Sequence, residues 1–404
     1  METPLVTLSD IEAARALLRG VARTTPLEGS RALSEQVGGP VWFKCENLQR
    51  TGSFKIRGAY VRIARLTDEQ RARGVVAASA GNHAQGVALA AALLGCTATV
   101  FMPVAAPLPK VQATKGYGAQ VRLEGATVDD SLRAAAAFAE QTGAVLIHPF
   151  DHEDVIAGQG TVGLELLEQC PDLQTVVVCT GGGGLVSGIA AAVKAVRPGV
   201  EVVAVQASGA AAFAPSLAAG HPVPLSSMAT MADGIAVGRP GDVTFRHVKA
   251  LVDRVVSVDD DALARALLFS LERAKLVVEP AGAAGLAAVM EDPTAFRPPV
   301  AVLLSGGNID PLLLSKVIRH GLVAAGRFLS LRVRIPDRPG ELARLLGVLA
   351  ASAANVLDVE HQRTGKYLHL DEVEVELQLE TRGQDHSDAV VKGLTEASYP
   401  VFPG

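Results

Sequence analysis

The chain has 404 residues, 37 Lys and Arg against 42 Asp and Glu, and a formal net charge of −5. That is length for two or three domains with large buried cores, and with no run of like charge it speaks against nucleic acid or an anionic membrane as main partner. No stretch approaches the ~20 apolar residues of a membrane span, the start "METPLVTLSDIEAARALLRG" lacks the apolar core of a signal peptide, and Cys45, Cys96, Cys170 and Cys179 stand far apart without C-x-x-C spacing, as free thiols in a reducing cytoplasm do.

In chain order, the first unusual stretch is "TGSFKIRGAY", which sets Lys55 between Phe54 and Ile56 and between Gly52 and Gly58. Two readings stand side by side: a solvated lysine on the first turn of a helix, or a desolvated amine that loses basicity and can act as a nucleophile or Schiff-base former. Next come short β-branched runs alternating with Ala-rich helical segments: "GVVAAS", "HAQGVALAAALLG", "TATVFMP", "LPKVQATKGYG" and "AQVRLEG". The rhythm returns at "TVVVCT", "LVSGIAAAVKAV", "VEVVAVQA" and "PVAVLLSGG". Apolar strands alternating with helices predict parallel sheets covered on both faces, here two α/β lobes with a cleft between them. Near residue 326 the pattern changes. "FLSLRVRIPD", "RPGELARLLGVLAASAA", "NVLDVEHQR", "DEVEVELQLET", "DHSDAVVKGLTEAS" and "YPVFP" read as βαββαβ, a small ferredoxin-like domain.

Three loops carry candidate chemistry. "TVVVCT" runs into Gly181, Gly182, Gly183 and Gly184 and then into a helix, exposing backbone N–H groups where a helix N-terminus favours a phosphate. No Lys-Ser/Thr pair follows and Val186 takes the third glycine position of a dinucleotide fingerprint, so the expected ligand is a small phosphate. "SAGNHAQG" offers Ser79, Gly81, Asn82 and His83 to an anion such as a substrate carboxylate. "LLSGGN" ends a buried strand with Ser305 and two glycines. All three sit at the carboxyl ends of strands, where open α/β sheets bind ligands. "HPFDHED", His148 to Asp154, superficially resembles a metal cluster but lacks i, i+4 histidines on a helix and reads as a solvated connecting loop.

With "FKCENLQRTGSFKIRGA", "SAGNHAQG", "TGGGGLVSGIA", "EPAGAAG" and "LLSGGN" in this order and spacing, the chain resembles the fold-type II pyridoxal phosphate enzymes, and among them the threonine dehydratases (threonine ammonia-lyases). The resemblance implies pyridoxal 5'-phosphate as cofactor, held by Lys55 as a Schiff base. Phe54 would pack on the ring, Asn82 would bond its phenolic oxygen, and Gly181 to Gly184 with Leu185 would bind the phosphate. Ser305 would face the pyridine nitrogen, and Ser79, Gly81, Asn82 and His83 would hold the substrate carboxylate. The implied reaction is β-elimination of water from L-threonine, and from L-serine, giving a 2-oxo acid and ammonia. Serine racemase and β-replacement enzymes on the same scaffold are the alternatives; an intact Lys55 argues against a non-catalytic amino-acid sensor. In relatives that racemise serine, a serine hydroxyl stands where this chain has Ala80.

The implied domains are residues 1–52 with 150–325 (large, cofactor-binding), 53–149 (small, carrying Lys55 and the substrate loop) and 326–404. The last resembles an ACT regulatory domain, with Asp337, Pro339, Gly340, Glu341, Leu342 and Asn355 as effector contacts at a subunit interface. Some relatives carry acidic metal ligands where Gln206, Ala210 and Ala212 stand here, so no metal is expected. A cytoplasmic homodimer or homotetramer of amino-acid metabolism, in isoleucine biosynthesis, completes the expectation, with no nucleic acid and no membrane as partner.

Overall fold

The computed structural model describes residues 4–363 and 368–404. Glycine-bounded apolar runs form β2 to β4, β7, β8 and β10 of the strands β1 (Leu27–Gly29), β2 (Val41–Lys44), β3 (Val75–Ala78), β4 (Ala98–Met102), β5 (Gln120–Leu123), β6 (Val145–Leu146), β7 (Thr175–Cys179), β8 (Glu201–Ala207), β9 (Arg254–Val258) and β10 (Val300–Leu303). They make two sheets, ordered β1-β2-β10-β7-β8-β9 and β5-β4-β3-β6. Every pairing is parallel except that of β1 with β2. All four residues of β10, in the middle of the larger sheet, are fully buried. Such strands are apolar on both faces because helices cover both.

Both sheets belong to one compact unit, Met1–Pro311; Leu312–Gly404 form a second. Within the first, the helix Lys55–Ala64 lies against the longest helix, Glu153–Gln169. A Cβ on Gly58 would meet the Val155 carbonyl oxygen at 2.8 Å, and one on Gly158 would meet Gly58 Cα at 2.7 Å. Glycine on both sides is what lets these backbones touch.

The same helix is fastened by a buried charge network. All five N–H groups of Arg57 are used: Nε and Nη2 on Glu46 at 2.9 and 2.8 Å, Nη1 on Glu165 at 2.7 Å and Thr161 at 3.1 Å, and Nη2 on the Arg23 carbonyl at 3.1 Å. Lys44 Nζ donates to Glu165 at 2.6 Å, Gln169 at 2.9 Å and the Thr25 carbonyl at 2.9 Å. Two cations meet two carboxylates, and every donor of both cations is satisfied, the condition under which charge tolerates burial.

In the second unit, β11 (Phe328–Pro336), β12 (Asn355–Gln362), β13 (Glu372–Glu380) and β14 (Val401–Pro403) form an antiparallel sheet ordered β12-β13-β11-β14. The helices Glu341–Ala351 and Gln384–Glu396 complete the βαββαβ order. β13 shows the period of a sheet with one covered face: Val373, Val375, Leu377 and Leu379 are buried in a core with Leu345, Leu349, Val390 and Leu394, while Glu374, Glu376 and Gln378 between them are only partly buried. Among the described residues, no helix is long and apolar enough to cross a membrane.

Candidate active site

The segment before Lys55 is stitched to the loop after β10. Ser53 and Gly306 form an isolated antiparallel bridge, Phe54 N–H donates to the Ser305 carbonyl at 3.1 Å, and Gly307 N–H donates to the Gly52 carbonyl at 2.9 Å. Lys55 therefore begins its helix over the carboxyl end of the larger sheet. Its Nζ donates to the Pro149 carbonyl at 2.9 Å and lies 5.1 Å from the centroid of the Phe54 ring. Burial pulls the amine down to about 8, against the opposing pull of Cys179 and Glu279. Lys55 stands on the first turn of its helix, partly buried, with its amine turned onto the Pro149 carbonyl.

The loop after β7 passes the same point. Gly183, at φ +97, is the N-cap of the helix Gly184–Val196, whose first N–H groups have no intrahelical acceptor. A Cβ on Gly182 would stand 2.4 Å from the Phe150 ring, and one on Gly184 2.9 Å from Phe150 Cβ. Thr244 Oγ1 holds the Gly182 carbonyl at 2.6 Å. The result is a flat cradle of backbone donors with no side chain in it, fitted to a phosphate; the Leu185 side chain is buried. Residues 148–154, read as a solvated loop, are half-buried. They form the floor of this cradle: Phe150 lies under the glycines, Pro149 receives Lys55, and Asp151 caps the helix Asp242–Leu251 through three backbone N–H groups.

After β3, Ser79 Oγ accepts from Gly81 N–H at 3.1 Å, and Asn82 and His83 open the helix Asn82–Leu93. The His83 ring is turned away, bonded to the Ile147 carbonyl at 2.8 Å, and burial together with the nearby Lys55 pushes it down to about 3, so it is neutral. What His83 offers the cleft is its backbone N–H. Asn82 stands in a relay: Asn308 Nδ2 donates to the Thr51 carbonyl at 2.6 Å and to Asn82 Oδ1 at 2.7 Å, and Asn82 Nδ2 donates to Glu279 at 2.6 Å. Burial and Asp233 push the Glu279 carboxyl up to about 7, against the Asn82 bond. Asp233 in turn pairs with Lys110 at 2.8 Å. Ser305 is buried, as is Cys179, whose thiol burial pushes up to about 11.

Lys55, Phe54, Asn82, the glycine loop and Ser305 thus converge. Glu279 and Asn308 received no role from the sequence, although both lie inside quoted stretches; a carboxylate just ahead of Pro280 at a helix start, inside a matched motif, was the available signal. Gln206 uses its amide on the Phe213 N–H at 2.9 Å and the Ala210 carbonyl at 3.5 Å. In the second unit, Asp337 to Leu342 join β11 to its helix at the Pro336 end, with Gly340 in the left-handed region as N-cap. Asn355 aligns through Glu380 with Phe328, at the other end of β11, and donates to Glu380 at 3.1 Å. One chain does not bring these effector candidates together.

Among known proteins, the family of pyridoxal-phosphate dependent enzymes matches residues 18–306. The L-threonine ammonia-lyase of Thermotoga maritima is 48% identical over 397 residues, 98% of this chain and 99% of that one. The structure of maize serine racemase superposes with a TM-score of 0.74 at 40% identity, covering 79% of this chain and 99% of its own. The processed form of threonine deaminase isoform 2 from Solanum lycopersicum gives 0.75 at 38% identity, covering 78% of this chain and 87% of its own.

Proposed function

Because this chain belongs to the pyridoxal-phosphate dependent enzymes, we infer that it deaminates L-threonine by β-elimination, releasing 2-oxobutanoate and ammonia, with L-serine as a second substrate giving pyruvate. The observation that carries the reading is the Lys55 amine, turned onto the Pro149 carbonyl and lowered by burial, where the loops after β3, β6 and β10 meet the side-chain-free phosphate cradle after β7; the relatives choose the substrate. Pyridoxal phosphate, when bound, supplies an electron sink for negative charge at the substrate α-carbon.

The residues divide the remaining work. Gly181 to Gly184 and Leu185 bind the phosphate through N–H groups, Phe54 packs against the ring, and Asn82 donates to the phenolic oxygen. Lys55 Nζ would hold the cofactor and, as a free amine, would take the substrate α-proton. Ser305 faces the pyridine nitrogen with a neutral hydroxyl, which does not keep that nitrogen protonated as a carboxylate would. The weaker sink favours loss of the β-hydroxyl over transamination. The N–H groups of Gly81, Asn82 and His83, with Ser79, hold the substrate carboxylate.

Residues 326–404 are read as an ACT domain binding an amino-acid effector through Asp337, Pro339, Gly340, Glu341 and Leu342, with Asn355 joining such a site only from a second copy. The supporting feature is the βαββαβ order with its strand sequence. The division of the rest into 1–52 with 150–325 and 53–149, a homodimeric or homotetrameric state, a cytoplasmic location and a role in isoleucine biosynthesis belong to the same reading.

The direct test is 2-oxobutanoate formation from L-threonine. Lys55→Ala should abolish it with the fold intact, and more than a trace of turnover in that variant would refute the assignment of Lys55. The likeness to maize serine racemase raises a second reading, racemisation. That reaction needs an acid or base on the face opposite Lys55, and the methyl group of Ala80 is neither. L-serine should therefore yield pyruvate with little D-serine, and Ala80→Ser should raise the D-serine fraction; comparable rates in the unaltered enzyme would reverse the choice.

A further inference from the structure

The relay through Asn308 fixes which way the Asn82 amide faces. The Thr51 carbonyl can only accept, so the Asn308 atom 2.6 Å from it is the nitrogen. That same nitrogen is 2.7 Å from Asn82, so the Asn82 atom facing it is the oxygen. The Asn82 nitrogen is thereby placed on the far side, with one hydrogen on Glu279 at 2.6 Å and a second hydrogen left over. The chain of constraint starts at Thr51, four residues before Lys55, where φ is +63. A non-glycine residue held in the left-handed region is uncommon and costs energy. Here that conformation accompanies a carbonyl aimed at Asn308, which lies 257 positions away in the chain.

We propose that Asn308 is a positioning residue: anchored on the Thr51 carbonyl, it holds the Asn82 amide so that one N–H is presented to the phenolic oxygen of pyridoxal phosphate. The inference rests on the cofactor placement given above. The phenolic oxygen carries negative charge when ionised, so a fixed donor favours its ionised form, whereas an amide turned the other way would set a carbonyl oxygen against it. Glu279 holds the nitrogen of that amide and Asn308 its oxygen, so without Asn308 the amide is held at one end only.

The experiment compares Asn308→Asp and Asn308→Ser with the unaltered holoenzyme, free of substrate, at one pH. A carboxylate cannot donate to Thr51 or Asn82, so in Asn308→Asp the Asn82 oxygen loses its donor and faces a negative charge while Glu279 alone holds the nitrogen; a hydroxyl can serve only one of the two acceptors. Expected for Asn308→Asp is a shift of the cofactor's visible absorption from the long-wavelength band of the ionised ring to the short-wavelength band of the protonated one. With it goes a roughly tenfold or greater rise in the cofactor dissociation constant, the size of one hydrogen bond to a charged group. Asn308→Ser should fall between, and supplies the readings if the aspartate variant does not fold. A purely structural role would lower the melting temperature of either variant while leaving band position and dissociation constant unchanged, and that result would overturn the proposal. Turnover of L-threonine by the unaltered enzyme, measured in the same preparation, separates the two claims. Absent turnover with the spectral shift present refutes the reaction and leaves Asn308 its role; turnover without the shift does the reverse.

Discussion

At the scale of single residues, the amine of Lys55 decides when the cofactor can attach. Burial sets it at about 8, below the free-lysine value, so the neutral and reactive form grows as pH rises through 8. Roughly a tenth of the amine is neutral at pH 7 and roughly nine tenths at pH 9. Uptake of pyridoxal phosphate by the apo-protein, followed by visible absorbance, should accelerate about tenfold between those pH values; a flat profile would contradict the desolvated amine. Lys55, the glycine loop and Ser305 were legible in the sequence because each sits in a local pattern of glycine and strand that states its own geometry. Asn308 and Glu279 were not, since their partners stand 226 and 197 positions away. For His83 the residue type suggested an imidazole contact, but the ring is spent on the Ile147 carbonyl, a direction that only packing could set.

At the scale of elements, the helix Lys55–Ala64 owes its place to Arg57 as much as to its apolar face. Burial pushes the Glu46 carboxyl up, but the adjoining Arg57 and Lys44 outweigh it and hold it below the usual carboxylate range. Its stabilising contribution is therefore complete at neutral pH and is lost only as pH falls through that depressed value. Arg57→Met would leave Glu46 and Glu165 to share Lys44. The expected loss is about 3–5 kcal/mol, the usual result of stripping one partner from a buried pair, read as a lower urea midpoint. A shift no larger than that of a surface substitution would mean the network contributes little. The strands β3, β4, β5, β7, β8 and β10 were readable as short β-branched runs alternating with helical segments. The three-residue β1, the four-residue β2, the two-residue β6 and the partly buried edge strand β9 escaped.

For the whole molecule, the division between Pro311 and Leu312 separates a catalytic unit from one whose own core is complete. The maize structure, matched over 99% of its length, leaves about a fifth of this chain without a counterpart, so the scaffold stands without such an addition. A chain ending at Pro311 should fold and retain threonine deamination. The full chain should bind an amino-acid effector such as isoleucine or valine, with calorimetric heat that the shortened chain lacks. Equal binding by both chains would place the effector elsewhere, and no binding by either would end the regulatory reading. The βαββαβ order was visible in the sequence because its strands alternate cleanly; the strand order was not, since register across a sheet is a property of pairs.

The position of β10 has a consequence in time. This strand is the last of its sheet to be synthesised, yet it lies between β2 and β7, pairing with Val41–Lys44 on one side and with Thr175–Val177 on the other. Until it emerges from the ribosome, β1 and β2 have no neighbour through which to join β7, β8 and β9. At ~5–20 residues per second, the 256 positions from Lys44 to Val300 take roughly 13–50 s to make. The smaller sheet, whose strands end at Leu146, has its full complement long before. During that interval the nascent protein carries Lys55 with neither the Ser305 loop to pin it nor a finished sheet beneath it, so the chemistry of the site becomes available only as the last strand is inserted.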